Sequence, residues 1–167
     1  MAFKIEITES KDKTDKYESL LPQIIALISD ENDLIANLGN VCSVLKYSFE
    51  NFLWVGFYLK CKDNPEELVL GPFLGRVACT RISFGKGVCG KAAESKKTVI
   101  VENVGDFPGH IVCDPLSRSE IVVPVITEGN VIAVLDIDSG EYSGFDVTDK
   151  KYLEQMIENI KYIFSGK

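Results

Sequence analysis

The chain has 167 residues, 46% apolar and 26% charged, which suits one globular domain with material for an unassisted core. Its formal charge of −7, with no arginine-rich cluster and short lysine pairs such as Lys96–Lys97 beyond the N-terminal lysines, argues against a nucleic-acid or anionic-membrane surface. No window approaches the roughly 18 apolar residues of a membrane span, and MAFKIEITES lacks the charged and apolar regions of a secretory signal. A cytoplasmic setting is therefore expected, with the five cysteines as thiols rather than a disulfide framework.

Residues 17–29 place Leu20, Leu21, Ile24, Ile25, Leu27 and Ile28 at helical spacing, and Pro22 fits only near a first turn. A second helix is expected over 31–50, with Leu34, Leu38, Val41, Leu45 and Phe49 on one stripe and Cys42 beside it as a small buried hydrophobe. The period then changes. FLWVGFYLK (52–60) reads as a strand, CKDNPEE as its turn with Cys61 at an exposed edge, and LVLGPF as the returning strand of a hairpin. ACTRISF is a further short strand, stopped by GKG; residues 87–96 read as a short helix with Cys89 in its first turn. TVIVENV is a strand, GDFPGHIVCDPLSR a loop, and SEIVVPVI and VIAVLDID are strands joined by TEGN. A last helix follows Asp146 as cap, its apolar face made by Leu153, Met156, Ile157, Ile160 and Phe164. Most strand connections are too short for parallel crossovers, so the fold class is antiparallel α+β.

The chemistry concentrates in PGHIVCDPLSRSE (108–120), which holds the single histidine, His110, three residues before Cys113. Cys79, Cys89, His110 and Cys113 are all acceptable zinc ligands, but nine residues separate the first pair, unlike the two to four of a knuckle. A Cys–His hydrolase is disfavoured because such pairs are usually distant in sequence and no clear oxyanion motif follows. Redox thiols fit better. Cys89 sits where a helix macrodipole stabilises thiolate, and Cys113 sits in a loop beside Asp114, which opposes ionisation, and His110, which would favour it if charged. On local physics Cys89 is the more acidic thiol.

Asp136 and Asp138 lie two apart at the end of a strand and share a face with Val134. With Glu120 at the start of the preceding strand, they could converge on a cysteine and suit a cationic ligand group or supply a proton; strand ends also carry acids for solubility alone. Alternation puts Trp54 and Tyr58 on one face, either as core or as an apolar pocket of methyl size with Gly56 leaving space between the rings.

LWVGFYL, LGPFLGRVACTRISFGKGVCGKAA, VENVGDFPGHIVCD, SEIVVPV and VLDIDS, in that order, resemble the free methionine-(R)-sulfoxide reductases, a catalytic branch of the GAF domain family. The resemblance spans about residues 17–162 and implies one GAF-type domain over 1–167 with its core at about 17–164, a central antiparallel sheet flanked by helices, and a homodimer. It further implies Cys113 as nucleophile, Cys79 as resolving thiol and Cys89 as a third, alternative partner. The helix end favours Cys89, but the resemblance is followed, since nucleophilicity depends on substrate placement as well as thiolate fraction. Glu120 would be the proton donor, Asp136 and Asp138 would hold the substrate ammonium, and Trp54 and Tyr58 would box the ε-methyl. The implied reductant is thioredoxin, with no metal or organic cofactor; His110 is given a structural role, and Cys42 and Cys61 none. The rival is a non-catalytic GAF sensor that binds a small ligand.

Overall fold

The computed structural model describes residues 4–111 and 113–165. Its elements run α1 (Lys13–Ile28), α2 (Leu34–Ser48), β1 (Phe52–Lys60), β2 (Glu67–Leu74), β3 (Arg81–Ser83), α3 (Gly87–Ser95), β4 (Val99–Val101), β5 (Ser119–Thr127), β6 (Asn130–Ser139) and α4 (Val147–Ile160). Among the described residues the strands make one antiparallel sheet in the order β3-β2-β1-β6-β5-β4. The α+β expectation holds. No described helix is long and apolar enough to cross a membrane.

Local chemistry sets most boundaries. α1 begins earlier than expected because the Asp12 side chain accepts from the backbone N–H groups of Thr14 and Asp15. Pro22 consequently lies inside the helix, where it removes one ladder hydrogen bond; next to it, Gln23 Nε2 donates to Ser19 O at 2.9 Å. β4 ends sooner than expected because the Asn103 side chain accepts from Gly105 N–H and turns the chain into a short 3-10 segment at Val104–Asp106. β5 and β6 join through Glu128 and Gly129, both at positive φ, 51° and 76°, as a tight hairpin of right-handed twist requires. α4 follows a reciprocal capping box between Asp146 and Asp149, then tightens into 3-10 geometry at Lys161.

The two faces of the sheet bury different material. α1, α2 and α4 cover one face, packing Tyr17, Leu20, Ile24, Leu38, Leu45 and Leu153 onto Val55, Phe57, Ile121, Leu135 and Ile137. α3 packs on the opposite face, where Val88, Cys89, Ala92 and Ala93 meet Trp54, Tyr58, Val122 and Val134. A register irregularity between Phe52 and Trp54 lets Phe52 join the first face although Trp54 points to the second.

Gly56 does not leave free space between Trp54 and Tyr58, as the alternation suggested. The Trp54 ring lies over it, so that an added Cβ would sit 2.7 Å from Trp54 Cζ3 and also meet Phe73. Glycine is what allows the indole to lie against the strand. Gly56→Ala should therefore lower stability by about 1–3 kcal/mol and shift the emission of Trp54, the sole tryptophan. Denaturant unfolding followed by fluorescence checks this; wild-type midpoint and emission would contradict it.

Candidate active site

Three strands lay out the site row by row. Trp54 of β1 pairs with Asp138 of β6, which pairs with Glu120 of β5; in the next row Gly56, Asp136 and Val122 are partners, followed by Tyr58, Val134 and Pro124. Side chains of one face recur every second residue, so Glu120, Asp136 and Asp138 all project beside Trp54 and Tyr58. The convergence expected of the three acids is realised, together with Cys89, Cys113, His110 and Ser117, around one cavity.

Two loops close over this face. The 75–80 segment carries Cys79 and is held by the polar ends of the site aromatics: Trp54 Nε1 donates to Arg76 O at 3.0 Å, and Tyr58 Oη donates to Cys79 O at 3.0 Å. The segment before β5 carries Cys113 and is held by Ser117 Oγ donating to Asp138 Oδ1 at 2.6 Å and by Leu116 N–H donating to Asp114 Oδ1 at 2.9 Å. Cys79 and Cys113 are joined in a disulfide, their Cα atoms 5.7 Å apart across 34 residues. With this bond closed the cavity holds only about 30 Å³.

The acids are almost dry. Glu120 and Asp136 are 6% and 7% exposed, and burial, reinforced by the neighbouring carboxylates, raises both carboxyls well above the usual range. Asp138 is raised by burial to about 6, restrained by the Ser117 hydroxyl and the nearby imidazole. His110 Nε2 stands 3.7 Å from Glu120 Oε2, and burial lowers its pKa. Burial thus favours the uncharged forms of both Glu120 and His110. One carboxylate oxygen of Asp136, Oδ1, is buried with no fixed donor among the described residues, its carboxyl hydrogen-bonding only through the titratable protons of Cys89 and Glu120.

Several expectations need correcting. Cys89 is not the acidic thiol: although in the first turn of α3, it is 3% exposed, and burial together with the charges of Asp136 and Glu120 raises its pKa well above that of a free thiol. Desolvation and two carboxylates outweigh a single helix end. The four-ligand zinc set, which its spacing already disfavoured, is not assembled in this form, because the sulfurs of Cys79 and Cys113 are bonded to each other. Cys61 is buried rather than exposed, its sulfur 3.4 Å from Arg81 Nη1, which lowers its pKa. Cys42 is buried as expected and raised to about 12 by that burial. Ser117 and the contact of His110 with Glu120 escaped the sequence reading, since neither hydroxyls in loops nor a lone imidazole carry a distinctive spacing.

A thiol pair poised over a buried carboxylate pocket, on an antiparallel sheet with helices on both faces, defines an α+β domain built to handle a small polar ligand with redox chemistry. Residues 32–164 match the GAF domain family, and the chain belongs to that family. It is 40% identical over 161 residues to the free methionine-R-sulfoxide reductase of Saccharomyces cerevisiae, covering 93% of this chain and 89% of that protein. GAF domain-containing protein A of Dictyostelium discoideum is 53% identical over 158 residues, 95% of this chain and 98% of its own. The solved structure of free methionine-R-sulfoxide reductase from Neisseria meningitidis in complex with its substrate is similar at a TM-score of 0.93 and 46% identity, covering 98% of this chain and 96% of that one.

The buried acids make stability fall with pH. Each raised carboxyl binds its proton more tightly in the fold than in the unfolded chain, so its contribution is complete below the unfolded value near 4 and is lost as pH rises through the folded value. For Asp138 that window closes near pH 6, and Glu120 and Asp136 shift in the same direction. Asp136→Asn should therefore gain stability relative to wild type at pH 8 and not at pH 4. Equal differences at the two pH values in urea titrations would contradict the assignment.

Proposed function

We propose that this chain reduces free methionine-(R)-sulfoxide to methionine, with Cys113 as nucleophile and Cys79 as resolving thiol. The observation that carries the reading is the Cys79–Cys113 disulfide standing over the Glu120–Asp136–Asp138 pocket. The likeness to the yeast and neisserial reductases supports it.

The residues divide the work as follows. Cys113 thiolate attacks the sulfoxide sulfur while Glu120, kept protonated by burial and by the charge of Asp138, protonates the sulfoxide oxygen. The sulfur–oxygen bond then breaks as that hydroxyl passes to the Cys113 sulfur, and the sulfur–sulfur bond breaks as methionine leaves with the electron pair. Methionine leaves with its sulfur reduced by two electrons, and Cys113 becomes a sulfenic acid, oxidised by two. Cys79 then condenses with it, forming the disulfide and releasing water; the Cα separation of 5.7 Å suits that bond. Cys89 is free in this form and held protonated by burial, so it stands as an alternative partner rather than the first one.

Recognition follows from charge and shape. Asp138, with Asp136 beside it, holds the substrate ammonium, which a methionine sulfoxide inside a peptide does not possess. Trp54 and Tyr58, their rings stacked with centroids 6.1 Å apart, box the ε-methyl and select one stereoisomer. Cys113, which must attack the substrate, is bonded to Cys79 in this form, so turnover follows reduction of the disulfide. A thioredoxin-type dithiol protein supplies the electrons by exchange, and exposed Val77 and Leu116, close in sequence to the two cysteines, offer it an apolar rim. Homodimeric assembly and a cytoplasmic setting belong to the same reading.

Purified protein with dithiothreitol and the two separated diastereomers of free methionine sulfoxide provides the test. The R form alone should be consumed, and Cys113→Ser should lower turnover by at least a thousandfold while the fold persists. No methionine from either isomer, with folded protein and reduced thiols, would overturn the reading and return the pocket to a ligand-sensing role.

A further inference from the structure

We propose that Cys89, Glu120 and Asp136 form a binding site for a thiophilic divalent cation of the Zn²⁺ type, occupied when substrate is absent and excluding it when filled. The clause about exclusion rests on the reading that the same acids receive the substrate.

The geometry comes first. The Cys89 sulfur and one carboxylate oxygen from each acid lie within 4.8 Å of one another, and all three residues are buried. They arrive from three elements, α3, β5 and β6, whose packing and register fix them independently of the loops. Tetrahedral zinc binds sulfur at about 2.3 Å and carboxylate oxygen at about 2.0–2.2 Å, so modest side-chain rotations would bring such a set to an ion. His110, with Nε2 at 3.7 Å from Glu120 Oε2, or a water stands ready for the fourth position.

A second observation points the same way. Asp136, 93% buried and lining the cavity, has one oxygen, Oδ1, that meets no fixed donor among the described residues; its side-chain partners are the titratable protons of Cys89 and Glu120, which a cation would replace. Once those protons are lost the carboxylate is left buried and unpaired, which a bound cation would offset. An ammonium group would satisfy it, but gains little from the adjacent sulfur, because a thiol is a weak acceptor. A cation that prefers sulfur uses all three donors at once. Thiolate with two carboxylates selects Zn²⁺ or its analogues over Mg²⁺ and Ca²⁺, which require oxygen ligands in larger number.

The disulfide form makes the test clean. Cys79 and Cys113 cannot ligate there, so thiolate coordination can come only from the free thiols of Cys42, Cys61 or Cys89. Chelator-treated oxidised protein is titrated with Co²⁺, and the thiolate-to-cobalt charge-transfer band and the visible bands of tetrahedral cobalt are recorded. One equivalent should saturate them, Zn²⁺ should displace the cobalt and Mg²⁺ should not. Cys89→Ala should abolish the charge-transfer band, Cys61→Ala should retain it, and Asp136→Asn should weaken cobalt affinity at least tenfold, with circular dichroism confirming each fold. If Cys89→Ala does not fold, Asp136→Asn decides, and unchanged affinity there overturns the site. No band in excess cobalt, a band that survives in folded Cys89→Ala, or one lost in Cys61→Ala also overturns it. Turnover is measured on reduced, metal-free protein, so failure of the metal site leaves the reductase reading standing and the converse is equally visible.

Discussion

The pairing of β1, β6 and β5 is the constraint on which the site depends. Trp54, Asp138 and Glu120 occupy one row across these strands, and Gly56, Asp136 and Val122 the next. A slip of one residue would turn the acids into the face packed by α1, α2 and α4, where charged groups would displace Ile121, Leu135 and Ile137 from the core. The apolar residues between the acids thus hold the register, and the register holds the acids. Stability and site geometry come from the same alternation.

The acids are costly to bury, and the structure converts that cost into chemistry. Carboxyls in a dry pocket beside like charges keep their protons to higher pH, which a group must do if it is to donate one near neutrality. Asp138 differs from its neighbours in accepting from the Ser117 hydroxyl, which restrains the upward shift of its carboxyl to about 6. The aromatic side chains act at both ends. Their rings line the cavity, and their polar tips hold the backbone of the segment that brings Cys79 to Cys113. Trp54 is also locked by glycine, since Gly56 and Gly75 each leave room that a Cβ would take from its ring.

Much of this was readable in the sequence because it depends on period and punctuation. Alternation over 119–126 and 131–138 located the hairpin and put Asp136 and Asp138 on one face, and the ordered motifs around Cys79, Cys89 and Cys113 led to the family. What was not readable depended on tertiary burial. Cys89 looked acidic from its helix end, and only the buried neighbours Asp136 and Glu120 reverse that. Cys61 looked exposed in its turn until Arg81 of β3 came to lie against it. Pro22 suggested a later helix start because the strength of the Asp12 cap could not be weighed against one missing hydrogen bond. His110 meets Glu120 through a loop whose path no periodicity encodes.

The central claim is that the pocket keeps Glu120 protonated at neutral pH while Asp138 is charged. Carbon-13 NMR titration of the side-chain carboxyls, assigned with Glu120→Gln, Asp136→Asn and Asp138→Asn, reads this directly. The account predicts an Asp138 midpoint near 6 and a Glu120 carboxyl that holds its proton well above the usual carboxylate range. Glu120 and Asp138 both titrating near pH 4, as they would in water, would contradict it.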